Sequence, residues 1–174
     1  MRNICFPGQF LLAYIQFFEG RFAVAADIMK PLMGSPDSAI YQFWTAYFLA
    51  YANRITEAQK IIEVIEGTTA LDRFFRLLKL ALQGKRQELV ESISPAMVDM
   101  ARRDPMKTGW RVSFYAMLED KEHTLEWIET AINHVLINFP FFNRYDPFLA
   151  KLHGEPRFKK LMKRVKYEWE HFEV

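Results

Sequence analysis

Apolar side chains recur along this chain at spacings of three and four residues, which is the period of an amphipathic α-helix. One clear case is the apolar stripe formed by Leu125, Ile128, Ile132, Val135 and Leu136. The two-residue alternation of a half-buried strand is not convincing in any segment. The pattern predicts an all-α fold with helices near residues 8–18, 22–33, 37–52, 56–66, 70–83, 86–102, 107–118, 122–138, 146–152 and 155–171.

These helices are expected to come in pairs, because small or polar turn residues recur at a nearly constant interval. Gly20, Asn53, Gly84 and Asp120 each separate two helical stretches, and they are 33, 31 and 36 residues apart. A period of this size is typical of stacked helical hairpins, since one hairpin cannot bury its apolar face alone. The interval therefore predicts a repeat fold, a class that binds other molecules through a stacked surface.

Around these turns the sequence resembles the tetratricopeptide repeat (TPR) family. The first repeat matches best, the second has Asn53 in place of the turn glycine, the third has Leu89 where a small residue is usual, and the fourth is the loosest. The matching positions are Gly20, Phe22, Ala25, Met29 and Pro31, then Ala46, Ile55, Ala58 and Ile62, then Gly84, and finally Asp120, Leu125, Ile128 and Ala131. The resemblance implies a right-handed stack of about four helical hairpins over residues 6–139.

The carboxyl-terminal part of the chain resembles the tail of TPR regions found at the carboxyl ends of larger bacterial signalling proteins. Residues 143–152 and 154–158 carry this likeness, and the signalling proteins include serine/threonine kinases, nucleotide cyclases and transcriptional regulators. We therefore expect residues 140–174 to form a capping segment with a final helix, and residues 1–174 to form a single TPR-like domain.

The amino-acid composition agrees with one helical domain and indicates its cellular compartment and the charge of its partner. A chain of 174 residues that is 51% hydrophobic can bury roughly 70% of its unfolded surface. A single cysteine, Cys5, excludes an internal disulfide and suits a reducing compartment, so a cytoplasmic location is expected. The formal net charge of +2 is too small to argue for a polyanionic partner of the whole chain.

An apolar run over residues 10–18 raises the alternative of a cleaved leader, because residues 23–25 have the small-x-small form of a cleavage site. Gln16 interrupts the run and residues 19–21 separate it from the alanines, so the first helix of the first hairpin uses these residues better. The nearest candidate for a membrane span, residues 43–52, is shorter than the roughly 18 residues that a bilayer requires.

A groove lined by aromatic rings is the expected partner site. In stacked hairpins the first helix of each pair lines the concave face, and aromatic side chains there suit an apolar helix or an extended peptide. The alternative is that the rings are ordinary core, since both positions obey the same helical period. The predicted groove residues are Phe10, Tyr14, Phe17, Phe43, Tyr47, Tyr51 and Phe74. Self-association through exposed aromatic rings, giving a homodimer, is a second hypothesis.

The final helix carries six positive charges within ten residues, and no acidic residue lies among them. Such a face suits phosphates of nucleic acid or of an anionic surface, but a capping helix with a polar outer face explains it more simply. Nucleic acid is therefore the less favoured partner. The residues are Arg157, Lys159, Lys160, Lys163, Arg164 and Lys166.

Catalysis finds little support in the sequence. The four histidines have no zinc spacing, and the nearest constellation, His123 with Glu119 and Glu126, is typical of a solvated helix surface. Cys5 has no neighbouring base in sequence, and neither a phosphate-binding glycine loop nor a nucleophile elbow occurs. The sequence predicts a non-catalytic interaction module with no cofactor and no metal.

Overall fold

A computed structural model describes residues 8–34, 38–63, 70–134 and 136–172 of the chain. All of its regular elements within these ranges are helical, so the all-α prediction is confirmed for the described residues. The α-helices are α1 (Gly8–Phe18), α2 (Phe22–Met29), α3 (Ser38–Tyr51), α4 (Ile55–Glu63), α5 (Ala70–Leu82), α6 (Arg86–Glu91), α7 (Pro95–Arg102), α8 (Pro105–Met117), α9 (Lys121–Asn133) and α10 (Pro156–Glu170). Short 3₁₀ segments span Lys30–Gly34 and Pro147–Leu152, and a π turn spans Phe141–Tyr145.

The helix predicted over residues 86–102 is broken in the structure into α6 and α7. Proline lacks the N–H that a helix interior needs and is tolerated at the first helical position, which Pro95 occupies. Ser94 caps the new helix, because its Oγ accepts a hydrogen bond from the Met97 N–H at 3.3 Å. The continuous helix was therefore a wrong prediction, although its apolar period runs through the break.

Two further predicted helices are shorter than expected. The α-helical part of residues 22–33 ends at Met29 and continues as a 3₁₀ segment, since Pro31 cannot donate the next α-helical bond. Helix α9 ends at Asn133 rather than near residue 138, and the Leu136 N–H donates back to the Ala131 carbonyl at 2.9 Å. Residue 37, residues 64–66 and Val135, which the predicted helices include, lie outside the described residues.

The chain divides into two compact units, Met1–Leu82 and Gln83–Val174. In the first unit α1 packs on α2, α2 on α3, α3 on α4, and α4 on α5. In the second unit α7 and α9 pack on α8, and α10 packs on α9. The single domain over residues 1–174 and the right-handed stack of hairpins stay predictions.

Four turns between helices share an uncommon backbone conformation. Among the described residues φ is positive at Gly20 (77°), Asn53 (58°), Gly84 (70°) and Glu119 (55°). Glycine and asparagine tolerate this left-handed region, and it is common where a helix ends. The fourth turn residue is therefore Glu119, and the prediction of Asp120 was wrong by one position.

With Glu119 as the fourth turn residue, a buried residue lies five positions after each turn residue. Those residues are Ala25, Ala58, Leu89 and Thr124. At Gly20 the turn is closed by two bonds, from the Gly20 N–H to the Phe17 carbonyl (3.0 Å) and from the Arg21 N–H to the Gln16 carbonyl (2.8 Å), and the turns at Asn53 and Glu119 repeat this pair. The turns at Gly20, Asn53 and Glu119 are thus equivalent in hydrogen bonding.

An ion-pair cluster joins the first two hairpins. The Arg54 guanidinium donates two hydrogen bonds to Glu57, at 2.6 and 2.7 Å, and one to Asp27 of α2 at 3.1 Å. These bonds lower the pKa of both carboxyl groups, and Lys30 adds to the effect. Because the groups are largely exposed, the cluster fixes geometry more than it adds stability.

None of the described helices is long and apolar enough to cross a membrane.

Candidate functional site

The seven aromatic residues predicted to line a groove all lie in the first unit, and six of them are buried. Tyr14 is the only one of the seven with intermediate exposure. Tyr47 is 4% exposed and Tyr51 is 3% exposed, and their hydroxyl oxygens are 3.5 Å apart. The buried rings are Phe10, Phe17, Phe43, Tyr47, Tyr51 and Phe74.

These six rings belong to the core of the first unit. Phe17 of α1 stacks on Phe48 at 5.0 Å and meets Tyr51 edge-on at 4.8 Å, while Phe43 stacks on Phe75 of α5 at 4.8 Å. Centroid separations in this range are those of favourable aromatic pairs. These six rings therefore do not line an open groove. They are core residues, as the alternative interpretation expected.

The exposed apolar surface of the first unit lies on the opposite side of α1. Leu11, Leu12 and Ile15 are 55, 48 and 55% exposed, and Val24 of α2 is 46% exposed. Helix α1 has the sequence GQFLLAYIQFF and carries no charged side chain. A helix that is hydrophobic all round is normally buried all round. This surface, called here the α1 face, was not among the predicted site residues, although the uncharged segment was visible in the sequence.

A smaller group of exposed apolar side chains lies at the end of α10. Tyr167, Trp169 and Phe172 are exposed there, but Glu168 and Glu170 alternate with them. Charged residues thus interrupt this group, whereas the α1 face is uninterrupted.

The predicted basic face of α10 divides into two edges of different character. On one edge Arg157 donates to Glu129 of α9 at 3.0 Å, and Arg164 donates to Asn133 of α9 at 2.8 Å and to Glu168 at 2.7 Å. This edge joins α10 to α9, as expected of a capping helix. Lys160 projects between the edges and is exposed.

The other edge of α10, carrying Lys159, Lys163 and Lys166, borders an open groove of about 420 Å³. Asn143 and His153 lie on its polar side. Lys166 is 3.7 Å from Glu170, while Lys159 and Lys163 make no ion pair within the described part of the chain. The groove, called here the lysine groove, is lined by Phe139, Asn143, His153, Phe158, Lys159, Met162, Lys163 and Lys166.

His123 lies beside a buried carboxylate and not in a metal cluster. Its Nδ1 is 2.9 Å from Asp120 Oδ2, which also accepts a hydrogen bond from Arg86 Nε at 2.8 Å, and its ring stacks on Tyr115 at 4.8 Å. Burial raises the pKa of Asp120, but the hydrogen bonds from Arg86 and His123 lower it by more, so the net pKa is below its ordinary value. Asp120 also caps α9 by accepting from the His123 N–H, so its bonds join α6 and α9.

An arginine inside the second unit was not anticipated from the sequence. Arg111 is fully buried, and its guanidinium carbon lies 5.6 Å from the centre of the Trp127 ring. Burial lowers the pKa of Arg111, and the neighbouring Tyr115 opposes that change. The contact with the Trp127 indole offsets part of the cost of burying this cation, and Arg111 is a core residue here.

The described residues contain no group of three or more histidine, cysteine or carboxylate side chains placed to hold a metal ion. Cys5 lies outside the described residues. Comparison with protein-family profiles, with curated proteins and with solved structures finds no match for this chain.

Proposed function

We propose that this chain is a non-catalytic protein-binding module of the TPR-like helical-repeat class, and that an amphipathic helix of a partner protein docks on its α1 face. The observation that carries the proposal is that α1 is apolar on both sides while only one side is packed. Covering each half-exposed leucine or isoleucine would contribute about 1 kcal/mol to binding.

The repeat geometry supports the class. Left-handed turns at residues 20, 53, 84 and 119 recur at intervals of 33, 31 and 35 residues, each followed after five positions by a buried side chain. Stacked hairpins bind through side chains left uncovered by neighbouring helices. Leu11, Leu12 and Ile15 are such side chains, since they project from the side of α1 away from Phe10, Ala13 and Phe17.

The shape of the α1 face favours a helix over an extended peptide. An extended strand binds chiefly by pairing its backbone with the edge of a sheet, and the described residues have no strand. Leu11 and Ile15 are four residues apart and form a ridge of the kind that interdigitates with the groove of a second helix. A partner helix with leucines at three- and four-residue spacing would therefore complete the packing of α1.

The test is selection from a displayed library of amphipathic helical peptides. Peptides enriched on the wild-type chain should lose at least tenfold in affinity for the double variant Leu11→Glu, Ile15→Glu, because two charges would be desolvated in the contact. Gln9→Glu is the matched control, since Gln9 is exposed on the same helix, and it should bind as the wild type does. Circular dichroism checks that all three proteins keep their helicity.

Two results would contradict the proposal. Enriched peptides that bind the double variant and the wild type equally would place the contact elsewhere. A wild-type dimer in light scattering that the double variant abolishes would assign the α1 face to a second copy of the chain, which is the self-association hypothesis.

A further inference from the structure

The two edges of α10 differ in how their positive charges are balanced. Arg157 pairs with Glu129 of α9 at 3.0 Å and lies 3.8 Å from Glu122, and Arg164 pairs with Glu168 at 2.7 Å. On the lysine groove, by contrast, none of the eight lining residues is acidic. Of its three lysines only Lys166 has a carboxylate partner among the described residues, Glu170 at 3.7 Å.

The lysines of the groove are also spaced so that they repel one another. Lys159 and Lys163 are four residues apart and Lys163 and Lys166 are three apart, and like charges at these spacings disfavour a helix. A bound anion would relieve this repulsion. The three side chains leave the helix over a length of about 10 Å, given its rise of about 1.5 Å per residue. That length suits a compact ligand with two or three negative groups.

The opposite wall of the groove is apolar and aromatic. Phe139 is partly exposed, and Phe158 and Met162 form the buried floor. The exposed His153 ring stacks on Phe158 at 5.3 Å with an interplanar angle of 24°, which fixes its orientation. A planar group inserted beside Phe139 and His153 would find apolar contact and a hydrogen-bonding nitrogen together.

We propose that the lysine groove is a binding site for a nucleotide, with its phosphates on Lys159, Lys163 and Lys166 and its base against Phe139 and His153. Lysine ammonium groups bind phosphate as point charges, and aromatic rings stack on any base. The volume of about 420 Å³ lies within the range of small-molecule sites and is small for a folded macromolecular partner. This site lies in the second unit and is separate from the α1 face.

The experiment is calorimetric titration of the full chain with ATP, inorganic triphosphate and adenosine at two salt concentrations. We expect saturable ATP binding that weakens with salt, triphosphate binding at least fivefold weaker than ATP, and weaker binding still for adenosine. The double variant Lys159→Gln, Lys163→Gln should bind ATP at least tenfold more weakly. Lys160→Gln removes the same charge from the same helix outside the groove, and it should stay within twofold of the wild type.

The variant Phe139→Ala separates the two halves of the site, because it should weaken ATP binding without changing that of triphosphate. A thermal melt shows that each variant is folded. Absence of saturable ATP binding by the folded wild type would overturn the proposal, as would equal affinity for ATP and triphosphate. A loss in Lys160→Gln as large as in the double variant would also overturn it. Binding of vesicles containing phosphatidylserine, or of a single-stranded oligonucleotide, far tighter than of ATP at the same salt would reassign the lysines to an extended anionic surface and overturn the nucleotide site.

Discussion

Replacing Tyr47 by alanine separates the two interpretations of the aromatic rings in the first unit. If the ring lined an open groove, its loss would weaken partner binding and leave stability unchanged. The structure buries Tyr47 and surrounds it with other rings, so the expected result is a large loss of stability. Five aromatic residues, Phe17, Phe43, Trp44, Phe48 and Tyr51, have ring centres between 5.1 and 6.2 Å from that of Tyr47.

The size of the loss follows from burial and from these pairs. Truncating a buried aromatic side chain to alanine costs about 3–5 kcal/mol, because transfer free energy is lost and a cavity remains. Each aromatic pair contributes about 0.5–1.5 kcal/mol beyond area, although pairs that share a ring are not additive. Tyr47 takes part in five pairs, so a value in the upper half of that range, about 4–5 kcal/mol, is expected. A whole domain is stable by about 5–15 kcal/mol, so this loss would be a large part of the total.

Urea unfolding followed by circular dichroism measures this change. With a slope of about 2 kcal/mol per molar urea, the unfolding midpoint should fall by about 2 M. Leu12→Ala is the control, because it removes an apolar side chain that is 48% exposed and should lower stability by about 1 kcal/mol or less. A midpoint for Tyr47→Ala no lower than that of Leu12→Ala would refute the core interpretation and return Tyr47 to the predicted groove.

Three further predictions concern the turns and caps. Gly84 and Gly154 both have open space around an added Cβ, but of the two only Gly84 has a left-handed φ (+70°). Gly84→Ala should therefore lower the free energy of unfolding by about 1–2 kcal/mol, whereas Gly154→Ala should raise it by up to about 1 kcal/mol. Melting temperatures that shift in the same direction in both variants would contradict this prediction. Asp120 has a lowered pKa, so its ionised form stabilises the fold above about pH 4 and that contribution is lost as pH falls through the folded-state pKa. Asp120→Asn should therefore show a smaller drop in urea midpoint between pH 6 and pH 3 than the wild type, and an equal drop would argue against the Arg86 and His123 contacts. Ser94→Ala should cost about 1 kcal/mol and Ser94→Asp should not; an unchanged melting temperature in Ser94→Ala would mean that Pro95 alone sets the start of α7.

The position of most helices could be predicted because apolar periodicity and helix-ending residues agreed. They disagreed between residues 86 and 102, where Leu89, Val90, Ile93 and Met97 continue the apolar pattern across Ser94-Pro95. Pro95 determines where the helix is broken, since its ring and its missing N–H are incompatible with a helix interior whatever the apolar pattern of its neighbours. The Ser-Pro pair, a cap followed by the first helical position, was the available signal.

The fourth turn shows a different limit. Asp120-Lys121 resembles the other turns by composition, and a glutamate in the left-handed region is not expected from its side chain. Nothing in the residue type of Glu119 indicates a positive φ. The position of the turn could still have been found from Thr124, because a small residue also lies five positions after Gly20 and Asn53, as Ala25 and Ala58.

Core and surface apolar residues could not be separated from one sequence, since a helix can pack on neighbours on more than one side. Phe10 and Phe17 are buried, whereas Leu11 and Ile15 of the same helix are exposed, although leucine and isoleucine are as apolar as phenylalanine. What distinguishes the two sides of α1 is the presence of a neighbouring helix. A sequence pattern indicates how apolar one side of a helix is, but it does not indicate which element, if any, covers that side.

The six basic residues of α10 each carry one positive charge, but they are of two types, arginine and lysine. Apart from Lys160, the two types lie on different edges of the helix. Both arginines lie on the edge packed against α9, while three of the four lysines line the groove. Arginine has five donors in a rigid plane and suits fixed bonds to carboxylate and amide oxygens, whereas lysine is a strongly hydrated point charge that leaves its partner free to exchange. Arg54 and Arg86 likewise hold carboxylates between helices. Residue type was therefore a signal already present in the sequence, and it indicates which edge of α10 is structural and which is open to a ligand.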